Sequence, residues 1–127
     1  MTRGFLLMCV VLVACGAGEG EETPNVCVHD PPLTYSNFGQ GFMEKNCTGC
    51  HHSLLPPDQR NGAPVGIDFD TYTAVLDYAD RVAARSLGES PSMPPTGSVP
   101  SEDLTLLAEW LSCQVAADNL ALSEVEP

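Results

Sequence analysis

Cys47-Thr48-Gly49-Cys50-His51 is the stretch from which the rest of the chain can be read. Two thiols three positions apart, followed at once by an imidazole, make the C-x-x-C-H spacing of c-type haem attachment. The spacing has a geometric cause. Two thioether bonds must reach the two vinyl groups on one porphyrin edge, and the next residue must then swing its imidazole beneath the ring to bind iron. Gly49 lets the chain bend closely against that edge. A structural zinc pair is one competing reading, but it needs two further ligands at recognisable spacing, and His52, His29, Cys27 and Cys113 form no second pair. A thioredoxin-like redox motif is the other, and it belongs beside a βαβ pattern that the chain lacks.

The opposite axial ligand is sought by elimination among the methionines. Met1 and Met8 fall in a leader segment, and Met43 lies on the helix that runs into the motif, which cannot cross to the far face. Met93 remains, in Pro91-Ser92-Met93-Pro94-Pro95, 42 residues beyond His51. A rigid, proline-walled loop holds a thioether at bonding distance against thermal motion. Filling core gaps is the commoner fate of methionine, but not in a loop this polar. His29 is the alternative and would make a bis-histidine site, whereas His52, next to His51, cannot easily reach the opposite face.

Moving outward, charge is lopsided: 17 acidic against 5 basic side chains in 127 residues, a formal net of −12 and an isoelectric point near 4.2. That excludes nucleic-acid binding, which rests on clustered Lys and Arg neutralising phosphates, and it disfavours electrostatic docking on membranes. Hydrophobic content of 43% marks a globular chain, while 6% aromatics is sparse for a core built unaided. Thr2-Arg3 followed by an apolar run from Gly4 to Val13 is too short to span a bilayer, which takes about 20 residues, but suits a secretory leader. Leu12-Val13-Ala14-Cys15-Gly16 resembles a bacterial lipobox, in which the cysteine is lipidated and becomes the new N-terminus. An ordinary leader cleaved after Ala14 or Ala17 is the alternative. Removing 14 residues and one positive charge leaves 113 residues with 4 basic and 17 acidic side chains, a formal net of −13.

The expected organisation is a signal peptide over 1–14, a lipidated N-terminus and flexible acidic tether over 15–34, one folded domain over 35–120, and an acidic tail over 121–127. Periodicity predicts three short helices. The first spans Ser36 to Lys45, with Phe38 and Phe42 on one face and Gly39 and Met43 beside them. The second, capped by Asp70 or Thr71, carries Tyr72, Val75, Leu76 and Ala79. The third opens at Ser101 after Pro100, has Glu102-Asp103 in its first turn, and presents Leu104, Leu107, Ala108, Leu111 and Val115. Proline and glycine make 54–67 and 86–100 irregular. No strand pattern or internal repeat is present.

With these residues in view, the chain resembles a small single-haem class I c-type cytochrome in the lipoprotein form of exported bacterial cytochromes. The resemblance spans roughly 35–115. It is anchored on Cys47-x-x-Cys50-His51 and Met93-Pro94-Pro95, and more weakly on Leu107-Ala-Glu-Trp110-Leu111. It implies an all-α fold of about three helices and long loops wrapped around one covalent haem c. In that family a first-helix glycine lets the last helix cross closely, which places Gly39 and Met43 against Leu107 and Trp110. The family often has an aromatic where Met43 stands. Crossing helices would also bring Cys27 within reach of Cys113, so a disulfide is expected in an oxidising compartment, with two buried free thiols as the alternative.

The functional expectation is a membrane-anchored electron-transfer protein, not an enzyme, with haem on Cys47 and Cys50, iron held by His51 and Met93, and lipid on Cys15. Arg81 or Arg85, lying between the second helix and the Met93 loop, could meet a haem propionate; a solvated arginine at a helix end is the other reading. Tyr72, Tyr78 and Trp110 read as core residues against the haem. Partners would be redox proteins with a basic docking patch, reached from a membrane face in the periplasm or at the cell surface. A haem enzyme or a gas or redox sensor, with an open or bis-histidine iron, is the second class, and a haem-free structural lipoprotein the third.

Overall fold

The computed structural model describes residues 27–97 and 99–125. The leader over 1–14, the Cys15 lipidation position and most of the tether lie outside the described residues. Every regular element among the described residues is helical, so the all-α expectation holds. None of these helices is long and apolar enough to cross a membrane.

A π-helical turn at Tyr35–Gly39 runs into α1 (Gln40–Asn46). Then follow α2 (Tyr72–Asp77), α3 (Ala79–Ser86) and α4 (Ser101–Trp110), which continues through a second π-helical turn at Leu111–Val115 into α5 (Ala116–Ser123). Thr34 opens the first segment with a capping box: its Oγ1 accepts from Asn37 N, and its own N–H donates to the Asn37 side chain. Thr71, one of the two expected caps, opens α2 by accepting from Ala74 N. The second helical segment is longer than its apolar stripe suggested. It breaks at Tyr78 and resumes as α3, with Arg81 N and Val82 N donating to Tyr78 O. Arg81 and Arg85 therefore sit on a helix, not between a helix and the next loop. The third helical segment continues to Ser123, past the boundary expected at residue 120.

Burial follows the periodic stripes. Phe42, Met43, Phe69, Val75, Val82, Leu107, Trp110, Leu111 and Val115 form one core. Trp110 is its centre: the ring is fully buried, with Tyr35 and Tyr72 stacked near it at 6.3 Å and Phe38 edge-on at 6.0 Å. Gly39 also meets this ring, which allows the first segment to cross α4 closely. Leu107, Trp110, Gly39 and Met43 are all buried there, the packing expected from the resemblance.

The N-terminal end is fastened to the last helix at several points. Cys27 and Cys113 are bonded, with Cα atoms 5.8 Å apart. One turn earlier on α4, the carboxylate of Glu109 accepts from Val28 N and His29 N at 2.9 and 2.8 Å and meets His29 Nδ1 at 2.8 Å. Gln114 Oε1 accepts from Tyr35 N at 3.0 Å. Cys113 and Gln114 both lie in the wide π turn, where the helix departs from regular α spacing.

Candidate functional site

The motif lies where α1 ends. Cys47 N and Thr48 N both donate to Met43 O, closing the helix, and then Cys50 N and His51 N both donate to Cys47 O at 3.1 and 2.9 Å. This tight turn brings Cys47, Cys50 and His51 onto one cavity of about 550 Å³, within the size range of small-molecule and cofactor sites. Both thiols are free and half-buried. Burial pushes the Cys47 thiol up to about 11, because the low-dielectric surroundings disfavour its thiolate. A Cβ built on Gly49 meets nothing within 4 Å, so the protein's own packing does not require glycine there.

His51 is oriented from behind. Its Nδ1 donates to Ile67 O at 2.8 Å, and its ring lies 5.1 Å from that of Phe69. With Nδ1 occupied by a carbonyl acceptor, the proton belongs on Nδ1, and Nε2 carries the lone pair available for coordination. Phe69 N donates to His51 O, pinning the backbone on the same side. Ile67 belongs to a proline- and glycine-rich loop whose reversals use left-handed backbone at Asn61, Gly62 and Gly66.

Met93 lines the same cavity from the other loop, with Pro94 and Pro95 beside it. The loop is anchored on α3: Ser92 N and Met93 N both donate to Arg85 O, at 2.9 and 3.0 Å. Met93 is 39% exposed, facing a cavity and not filling a core. His29 does not line the cavity, since its Nδ1 is held by Glu109 at the opposite end of the disulfide turn. His52 turns away as well, accepting from Leu54 N through Nδ1 at 3.1 Å.

Lys45, Arg81 and Arg85 line this cavity too. They are three of the four Lys and Arg side chains among the described residues. The fourth, Arg60, is buried beneath the His51 loop, and the sequence reading passed over it. Its only signal was a lone arginine in a turn-rich loop with Asp68 eight residues on. Tyr78 sits edge-on to Phe69 at 6.3 Å and donates to Gly66 O. Tyr72 and Trp110 pack in the core and do not line the cavity. Tyr72 donates to Asp118 at 2.6 Å, and its phenol is held well above the ordinary tyrosine range by burial and by that carboxylate.

As a donor set the cavity offers two thiols, one imidazole nitrogen, one thioether and three cations. Among the described residues, no three His, Cys, Asp or Glu side chains converge on a point suited to a bare metal ion. No protein-family model, curated protein or solved structure matches the chain.

Proposed function

We propose that the chain is a monohaem c-type cytochrome, exported as a lipoprotein, that carries single electrons between redox partners. The observation that carries the reading is the convergence of Cys47, Cys50, His51 and Met93 on one cavity, with His51 Nδ1 tied to Ile67 O so that Nε2 is the free nitrogen. These residues fit a covalent haem by chemistry. The two half-buried thiols are placed on one turn for thioether bonds, the imidazole is fixed from behind, and the thioether of Met93 provides a soft second ligand. Arg81 and Arg85, with Lys45, offer the charge-assisted donors that haem propionates need in an otherwise acidic chain.

When bound, the haem supplies one-electron exchange between two iron states. The residues of the chain hold it, exclude water and set its potential: Met/His ligation raises that potential relative to other axial pairs, which suits a carrier and leaves no open position for a substrate. With Arg60 buried and the other three cations at the cavity, the described surface elsewhere carries no Lys or Arg. A partner with a basic docking patch is favoured, in an encounter steered by charge.

The test is a visible spectrum of the protein matured in the periplasm. Reduced-minus-oxidised bands of c-type haem, haem that stays on the denatured polypeptide, and a weak Fe–S(Met) band in the oxidised state are the expected results. A colourless mature chain would overturn the proposal. Carbon monoxide binding by the unaltered protein would instead point to a sensor or enzyme with open iron.

A further inference from the structure

Arg60 is 1% exposed, and its guanidinium bonds the loop behind His51 at several points. Nη1 donates to His52 O at 2.7 Å, and Nε to Ala63 O at 3.2 Å. The two hydrogens of Nη2 are shared among Pro64 O at 2.8 Å, Ile67 O at 3.0 Å and Asp68 Oδ1 at 2.6 Å. Burying a charge is costly unless it is paired and hydrogen-bonded, and here one carboxylate and four carbonyls satisfy it. Ile67 O is the shared element, receiving Arg60 Nη2 and His51 Nδ1. A carbonyl has two lone pairs, so the guanidinium occupies one side and the imidazole the other.

We infer that Arg60 is a positioning residue for His51, locking the Ile67 carbonyl against the imidazole Nδ1–H and thereby fixing the tautomer and ring plane. The inference rests on the reading of His51 as an axial ligand. Second-sphere groups of this kind orient metal-bound imidazoles, and their loss typically costs 10–100-fold in affinity or activity. The planar fork matters as well as the charge. Arg60 reaches acceptors on both sides of the loop, at His52 and at 63–68, whereas a lysine ammonium is a compact point charge without that reach.

The test follows the His51 Nδ1 proton by NMR in the ¹⁵N-labelled reduced holoprotein. In Arg60→Lys and Arg60→Gln, haem stays attached through Cys47 and Cys50, and exchange of this proton with solvent accelerates at least about tenfold, the loss expected when a hydrogen bond from a charged group no longer holds its acceptor. The backbone amides of Leu107 and Val115 keep their unaltered rates. Arg60→Lys does not rescue, because the charge returns without the fork. Exchange within twofold of the parent in both variants would overturn the inference, as would an equal acceleration at Leu107 and Val115, which reports lost global stability alone. If neither variant folds, the parent decides. Protection of the Nδ1 proton as deep as that of the Leu107 amide supports the lock, and exchange a hundredfold faster than that amide refutes it. Absence of c-type haem bands in the parent spectrum would instead defeat the ligand reading, so the two failures are told apart.

Discussion

Gly39 packs so closely on Trp110 that a Cβ there would lie 2.5 Å from Cη2 and 2.7 Å from Cε2 of the indole. The ring is fully buried, so it cannot swing aside. Gly39→Ala should destabilise the protein by about 1–3 kcal/mol or more, the usual cost of overpacking a well-filled core. Gly41→Ala, where a Cβ meets nothing within 4 Å, should be neutral or slightly stabilising through helix propensity. Urea midpoints of the two variants check this, and equal midpoints would contradict the crossing.

Met93 belongs to the ligand set in the proposed function. Met93→Ala should leave haem attached, because the thioethers form at Cys47 and Cys50. It should abolish the Fe–S(Met) band, admit carbon monoxide and lower the reduction potential. An unchanged potential with no carbon monoxide binding would remove Met93 from the site.

Cys27 and Cys113 enclose most of the folded chain, 86 positions apart. Non-reducing peptide mapping should recover them as one linked pair. Replacing both by serine should lower stability by roughly 4 kcal/mol on the chain-entropy account. Recovery of two free thiols from protein prepared without reductant would refute the pairing.

Glu109 gives the fold a defined acid sensitivity. Its carboxyl is held below the usual glutamate range, first by the His29 backbone N–H and then by the His29 side chain and Val28 N. A depressed pKa means stability that is complete above the unfolded value, about 4.3, and lost as pH falls through the lower folded value. Glu109→Gln should therefore be less stable near neutrality and lose less stability on acidification. Denaturation midpoints across the acid range test this, and parallel curves for parent and variant would exclude the role.

The proposed lipoprotein form makes a prediction about location. If Cys15 carries two or three acyl chains, each buried methylene adds about 0.8 kcal/mol, and anchoring is effectively permanent. In that lipoprotein eleven residues, 16–26, would separate the lipid from Cys27, which is bonded to Cys113, and eleven residues span at most about 36–40 Å. The domain should sample a thin layer above one membrane face, where partners are met at high effective concentration. Cys15→Ala protein should fractionate away from membranes, and reduction by the native partner should slow as salt rises. Retention on membranes, or salt-independent reduction, would overturn this arrangement.

The helices were legible because their evidence is local. Phe38 and Phe42, Val75 and Leu76, and Leu107, Leu111 and Val115 fall on helical faces at the 3.6-residue period, and each group meets the core. The length of the second helical segment was not legible. Its continuation as α3 carries Val82 as its one large apolar residue, and the break falls at Tyr78, whose ring is drawn onto Phe69 and whose hydroxyl reaches Gly66. Neither contact has a signature in the local sequence.

The sequence by itself determined that Cys47, Cys50 and His51 share one turn, since C-x-x-C-H is a five-residue spacing, and it determined the all-α class, since periodicity is a property of neighbours. Tertiary structure alone decided how long-range partners share the remaining polar groups. His29 went to Glu109 and not to the cavity, Lys45, Arg81 and Arg85 were gathered at one cavity, and Arg60 was buried against the carbonyl that holds His51. For Arg60 and Glu109, which are buried, the physical reason is desolvation. A buried charge persists only where paired and hydrogen-bonded, and where those partners meet depends on how loops and helices close in space, which no short window of sequence records.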